Sequence, residues 1–376
     1  MATGFPTKAN WAAGDVLTAS AMDDLAGTVN LLSNASAASG SQLISNAAGT
    51  SFAYQATPSA SNPVLNSAFQ IWQRGTASTS IATSGTFFLA DRWQAVRGGY
   101  AAGGSVSRQA TNDTTNLPFI QYAQRVQRDS GNTSTATLIS GQNFESINSI
   151  PFAGKTVTLS YYARAGANYS PTSSALATYL NTGTGTDQND LTSSFTGLAA
   201  PINGTAATLT TTWQRFSFTA TLSSTATQIC IQLVSNPTGT AGANDYFEFT
   251  GVQLDIGSVA LPFRTNQPTI ATELAACQRY YWTPTVSNNN YIGYAYATNA
   301  TIYDIPFPVN LRISPTSLIT SGTIFAYALN SPTGITPTFD MSGTSSAQIL
   351  GAITIIAGQG SRMQLPANSI AFSAEL

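Results

Sequence analysis

Apolar and polar residues alternate with a period of two along most of this chain, and no other feature restricts its fold as strongly. In KTVTLSYYARA, Val157, Leu159, Tyr161 and Ala163 share one parity, while Thr156, Thr158, Ser160, Tyr162 and Arg164 take the other. WQRFSFTATL repeats the device, with Phe216, Phe218, Ala220 and Leu222 set against Arg215, Ser217 and Thr219. Ile229, Ile231 and Leu233 follow the same rule, as do Phe247 and Phe249 ahead of Gly251, then Val252, Leu254 and Ile256. Successive side chains of a strand point to opposite faces, so each segment reads as a strand with one face on a core. Gly251 falls where two runs change parity, which is the signature of a bulge. Repeated over residues 58–270, with Gly, Asn, Thr and Pro turns between, the pattern predicts an antiparallel β-sandwich. Roughly eight to ten strands in such a length is a jelly-roll number.

After Ile256 the character changes. Leu261, Pro262 and Phe263 leave the sheet, since proline cannot donate to a ladder. Thr272–Tyr281 then reads as a short helix, with Leu274, Cys277 and Tyr281 on one face. Residues 271–376 form a second, smaller β-domain, with strands expected at Tyr291–Ala297, Thr301–Ile305, Thr323–Leu329, Ile349–Ile356 and Ser369–Leu376. Residues 1–57 differ again. Thr18 and Ser20 are N-cap candidates and Asp23 and Asp24 suit a first turn. Met22, Leu25, Val29 and Leu32 follow at the 3-4-3 spacing of a coiled-coil seam. So short a seam either aligns chains that associate elsewhere or docks on its own body. Ser33–Pro58 is rich in small residues and reads as an extended linker. The fold class expected is therefore all-β, with a short N-terminal helix and anchor, a jelly-roll sandwich and a smaller C-terminal β-domain.

Composition narrows the chemistry. Hydrophobic residues make up 43% and aromatics 10%, but charged residues only 8%, with a net charge of −2. The aromatics and low charge argue for folded domains rather than a disordered chain. Lys and Arg total 14 and are scattered, which excludes a phosphate-binding track for nucleic acid. No stretch reaches the ~20 apolar residues that cross a bilayer, so no membrane insertion is expected. Met1–Asn10 lacks the basic start and apolar run of a signal peptide. Cys230 and Cys277 suit small apolar fillers, and their pairing is left open. There is no histidine, which removes imidazole-based nucleophile systems, histidine metal sites and imidazole switching. No cofactor motif is present and none is expected.

Carboxylate chemistry remains, because a glycoside can be cleaved between two acidic side chains. Asp245 and Glu248 sit three apart on a strand and so face opposite ways. Asp187 and Asp190, in GTGTDQND, suit solvated turn residues or an oxygen-ligand calcium site, the spacing favouring the former. Asp91-Arg92 reads as a local ion pair or turn anchor. None forms a dyad, so no catalytic residue and no metal ligand is assigned. Aromatics offer the better functional signal, since sugar C–H faces stack on Trp and Tyr while hydroxyls bond to amides. Tyr100 in GGYAAGG, Trp213 on the parity of Arg215, and Tyr291 beside three asparagines are the candidates for an exposed ligand-binding platform. Tyr294 and Tyr296 share parity with Ile292 and are expected inside, and Trp72 and Trp93 are expected in the core.

Several stretches also resemble proteins of tailed-bacteriophage tail fibres and tail tips. VQLDIGSVALPFR (Val252–Arg264) followed by ELAACQRYYW (Glu273–Trp282) is one. NSAFQIWQRGT (Asn66–Thr76) with FFLADRW (Phe87–Trp93), FPVNLRISPT (Phe307–Thr316) and NWAAGDVLTASAMDDL (Asn10–Leu25) are the others. The resemblance implies a jelly roll of carbohydrate-binding type. It implies a homotrimer attached through residues 1–57 to other tail or baseplate proteins, assembled in the host cytoplasm and carried on the virion tail. It also implies recognition of host surface polysaccharide. Two alternatives stay open: a depolymerase that hydrolyses the glycan with a carboxylate pair, and a purely architectural baseplate protein.

Overall fold

The computed structural model describes residues 41–45, 52–56, 62–78, 87–98, 103–117, 119–284, 289–316, 318–328 and 331–376. The chain divides into two compact units, Met1–Ala60 and Ser61–Leu376. In the first, β1 (Ser41–Ser45) and β2 (Phe52–Ala56) pair antiparallel, so part of the stretch read as a linker is a strand pair. The seam residues Met22, Leu25, Val29 and Leu32 lie outside the described residues, as does the helix expected to carry them.

The second unit begins with the sandwich. Its strands are β3 (Ala77–Ser78), β4 (Phe87–Phe88), β5 (Gln94–Arg97), β6 (Gly104–Ala110), β7 (Tyr122–Arg128), β8 (Leu138–Asn143), β9 (Thr156–Ala165), β10 (Ala175–Gly183), β11 (Ala199–Thr208), β12 (Gln214–Thr221), β13 (Gln228–Ser235) and β14 (Tyr246–Ile256). One sheet runs β12-β9-β14-β7-β6-β3 and the other β11-β10-β13-β8-β5-β4, with antiparallel pairing throughout. The inward parities are those of the sequence: Val157, Leu159, Tyr161, Phe247, Phe249, Ile229, Ile231 and Leu233 are buried in one shared core. Trp93, Phe69 and Phe249 form its aromatic centre, with ring centroids 5.0–5.3 Å apart. The hydroxyl of Tyr161 meets that of Thr178 at 2.6 Å, so the polar end of this core ring is satisfied. Gly251 is a bulge: the register between β14 and β9 shifts between Thr250 and Gln253, and its φ is +59°. The second face of β14, expected to be exposed, is instead buried, because Gln253 and Asp255 bond to the returning 261–264 segment.

Two single-turn helices, α1 (Ser146–Ser149) and α2 (Asp190–Ser193), lie in the connections. The third, α3 (Ile270–Gln278), starts at a capping box between Thr269 and Thr272. It ends three residues earlier than its periodicity suggests, and Tyr281 instead enters β15 (Tyr281–Trp282). Its buried positions are Glu273 and Cys277. The reason is polar: the Glu273 carboxylate accepts the backbone N–H groups of Asn66 and Gln267 at 2.6 and 2.9 Å.

The distal domain continues with β16 (Asn289–Ala297), β17 (Ala300–Pro306), β18 (Leu318–Thr320), β19 (Ile324–Ala328), β20 (Ser331–Ile335), β21 (Thr338–Ser342), β22 (Ser346–Gly351), β23 (Gly360–Leu365) and β24 (Ile370–Ser373). A small sheet, β15-β24-β18, faces a larger one, β20-β19-β23-β16-β17-β22-β21. Trp282, Phe307 and Phe372 stack between them, and Leu311 is buried there, so FPVNLRISPT is a core strap.

Three other motif stretches, Asn66–Thr76, Phe87–Trp93 and Glu273–Trp282, converge where sandwich and distal domain meet. Asp91 accepts the backbone N–H of Gln73 at 2.7 Å and its amide at 2.6 Å, and that amide also donates to the Tyr281 carbonyl at 2.8 Å. Arg92 does not pair with Asp91. Its guanidinium reaches Glu375 and the Asn143 carbonyl and lies 3.7 Å over the Tyr280 ring. Arg74 binds Glu375 at 3.0 Å and lies 3.5 Å over Tyr281. Burial alone would push the Arg92 guanidinium toward its neutral form, but Glu375, Tyr280 and Cys277 around it together outweigh this and raise its pKa. The motifs thus build a charged and aromatic clamp that holds the distal sheets against the sandwich.

Candidate functional site

The acidic pairs are held by structural partners. Glu248, fully buried, lies between Arg125 and Arg164, with contacts of 2.5 and 2.6 Å. Asp245 pairs with Arg128 at 2.8 Å and accepts the Ser170 N–H. In the Asp187–Asp190 loop Asp187 is exposed, as a solvated turn residue would be, and both carboxylates are also hydrogen-bonded. Asp187 accepts the Ser146 N–H at 2.8 Å, and Asp190 accepts the Asn181 and Gln232 amides, both at 2.6 Å. The loop is thereby pinned across the outer side of β10 and β13. Among the described residues no group of three or more acidic or cysteine side chains is placed to hold a metal. Cys230 and Cys277 are buried and free, and burial pushes both thiols well above their ordinary pKa.

Of the three aromatic candidates, the two that are described, Trp213 and Tyr291, pack on different cores. Tyr100 lies outside the described residues. Trp213 is buried, at 4% exposure, against Ala68, Leu117, Ile120 and Ala123. Its indole N–H donates to the Thr111 carbonyl at 3.4 Å, and the Arg164 guanidinium stands 4.9 Å from its ring. Parity did place it on the outer face, but the 111–121 segment covers that face. Tyr291 is half-buried and packs on the distal core, where burial raises its phenol. The parity of β16 is the reverse of the expected one. Gly293 pairs with Tyr303, and a Cβ at Gly293 would stand 2.6 Å from the fully buried Tyr303 ring. The glycine therefore faces inward to make room, and the residues on either side of it face out.

That reversal creates a conspicuous surface. Ile292, Tyr294 and Tyr296 are 74%, 54% and 52% exposed along one central strand of a seven-stranded sheet. The same face continues across the neighbouring strands. Ile292 sits opposite Arg362, which sits opposite Tyr327; Asn290 sits opposite Gln364, which sits opposite Phe325. On the other side Tyr294 pairs with Ile302, and Ile302 with Leu350, both half-buried. The Arg362 guanidinium lies 4.2 Å over the Tyr327 ring, and the Tyr327 hydroxyl donates to the Gln364 carbonyl oxygen at 2.8 Å. An exposed sheet face usually carries Thr, Ser and Lys, whereas a contiguous apolar face marks a contact surface. Flat rings interleaved with a guanidinium and two amides can stack on a partner's C–H faces and bond to its hydroxyls. No helix among the described residues is long and apolar enough to cross a membrane.

The chain matches no protein-family model and no curated protein. Solved structures similar to it include a putative sugar binding protein from Bacteroides thetaiotaomicron, at TM-score 0.32 and 12% identity, covering 52% of this chain and 100% of that one. A xylan-binding domain from Paenibacillus barcinonensis gives TM-score 0.28 and 12% identity, covering 48% of this chain and 94% of that one. The enzymatically active domain of bacteriophage CBA120 tailspike protein 4 gives TM-score 0.32 and 10% identity, covering 52% of this chain and only 21% of that one.

Proposed function

We propose that this chain is a virion structural protein, a tail-fibre or tail-tip adhesin that recognises glycans of the bacterial surface without cleaving them. Its contact surface is the outer face of the seven-stranded sheet. The observation that carries this reading is the exposed row Ile292, Tyr294 and Tyr296 on a central strand. The fibre-like motifs support the particle assignment, with residues 1–57 as the attachment segment and a homotrimer as the assembly. A flat face binds weakly at one copy, and several copies on one particle convert that into firm attachment. The engagement of Glu248, Asp245, Asp190 and Asp91 by guanidinium groups, amides and backbone favours binding over hydrolysis.

The test is to incubate the full-length protein with surface polysaccharides extracted from a panel of bacteria and to size both components. The expected result is co-migration with intact polymer, lost by about tenfold or more in a Tyr294→Ala/Tyr296→Ala variant whose melting temperature is unchanged. Shortened polymer would make the protein a depolymerase. No association with any polymer, together with a multimer that the same variant dissociates, would make the face a subunit contact and the protein architectural.

A further inference from the structure

The aromatic face holds a more specific arrangement around Gly360. This residue stands opposite Tyr294 on β23, is exposed, and a Cβ built on it would meet no atom within 4 Å. Directly opposed side chains on a sheet sit about 5 Å apart, so a glycine there leaves open space, a notch in the face next to the exposed Tyr294. Glycine within a strand often marks a place where another molecule approaches closely. One step along the same face, roughly 7 Å away, is Arg362. It is half-buried, with its guanidinium carbon over the Tyr327 ring at 4.2 Å. Among the described residues it meets no carboxylate, whereas most other arginines facing the sandwich or the junction do. Beyond it, Gln364 has its carbonyl oxygen taken by the Tyr327 hydroxyl, which leaves its amide nitrogen as a donor, and Asn290 lies opposite.

We infer that the glycan bound here is acidic: a polymer of uronic-acid or similar carboxylate-bearing sugars, with one ring seated over Gly360 against Tyr294 and its carboxylate on Arg362. The inference rests on the adhesin reading and names its ligand class. A guanidinium presents paired N–H donors that match a carboxylate, and stacking on Tyr327 holds it in place before the ligand arrives. Gln364 and Asn290 serve the hydroxyls of the adjoining sugar. Asp304 is exposed on β17, beyond Ile292 and two strand spacings from Arg362, roughly 10 Å, so it does not pair with the cation.

The experiment uses the full-length protein and affinity electrophoresis through gels containing polygalacturonate, polymannuronate or a sialic-acid polymer, with dextran and mannan as neutral counterparts. Retardation is expected in at least one acidic gel and in neither neutral gel, weakening as salt rises. Arg362→Gln is expected to weaken the acidic interaction about tenfold or more, and Arg362→Lys to weaken it less, because lysine keeps the charge but not the fork. Gly360→Thr fills the notch at a position with free space, so it is expected to abolish retardation while leaving the melting temperature unchanged. Retardation by a neutral polymer that Arg362→Gln does not alter would overturn the acidic assignment and leave the adhesin reading in place. Retention of binding by Gly360→Thr would move the site off the notch and also overturn it. No retardation in any gel, with no binding to the extracted polysaccharides, would remove both.

Discussion

At the scale of single residues, burial and partnership decide what each polar side chain does. Glu273 is 3% exposed, yet its carboxylate holds two backbone N–H groups, those of Asn66 and Gln267. Burial raises its pKa above the ordinary 4.5, the backbone donors working against the shift. The folded protein therefore takes up this proton before the unfolded chain does, as pH falls. Its stability contribution is fully present below the unfolded value and is lost as pH rises through the folded value. Glu273→Gln carries no such charge. Denaturant titrations of both proteins across the carboxylate range are expected to show the wild type gaining on the variant as pH falls, and a constant difference would contradict this. Trp213 makes the complementary point. Outer-face parity does not mean solvent when a loop bearing Leu117 and Ile120 lies over the strand.

At the scale of elements, two glycines set the direction of two strands. Gly251 lets β14 change register, at φ +59°, and a Cβ there would stand 2.8 Å from Ile120 and 2.9 Å from the Tyr162 ring. Gly251→Ala meets both the left-handed backbone penalty and that contact. It is expected to lower stability by about 2–4 kcal/mol, read from the midpoint of urea unfolding at unchanged slope. A loss below about 0.5 kcal/mol would mean the bulge relaxes freely. Gly293 acts on β16 in the opposite sense, yielding its place in the core to Tyr303 and so sending Ile292 and Tyr294 outward.

At the scale of the whole second unit, the sandwich and the distal domain have separate cores joined by a clamp. Glu375 is its centre, binding Arg74 from one motif and Arg92 from another while both guanidinium groups stack on Tyr281 and Tyr280. Arg92 is 2% exposed, so removing its counter-charge leaves a cation buried without its partner. Breaking such a pair costs about 3–5 kcal/mol. In calorimetry the wild-type unit is expected to melt in one transition. Glu375→Gln is expected to split it, with the distal domain melting first. A single transition at unchanged temperature in the variant would show that the two cores are coupled elsewhere. The clamp also explains the motifs: their Arg, Asp, Gln and Tyr residues, which invite a functional reading, keep the distal domain in fixed register with the sandwich.

What the sequence determined alone was what local periodicity can carry. Alternation marked β9, β12, β13 and β14 and the inward side of each, and Gly251 announced its bulge. The separate distal β-domain was legible too, although β18, β20 and β21, which are short, were not, nor was β23, where Ser361, Met363 and Leu365 alternate with Gly360, Arg362 and Gln364. Only the tertiary structure decided which outer faces meet water. Alternation assigns two sides to a strand, but whether the second side is covered depends on segments far away in sequence. Trp213 is capped by a distant loop. On β16, Ile292, Tyr294 and Tyr296 carry the parity of a core, and the partner strand's Tyr303 claims that core instead. Large apolar side chains occur at both buried and contact surfaces, so hydrophobicity by itself could not tell the two apart.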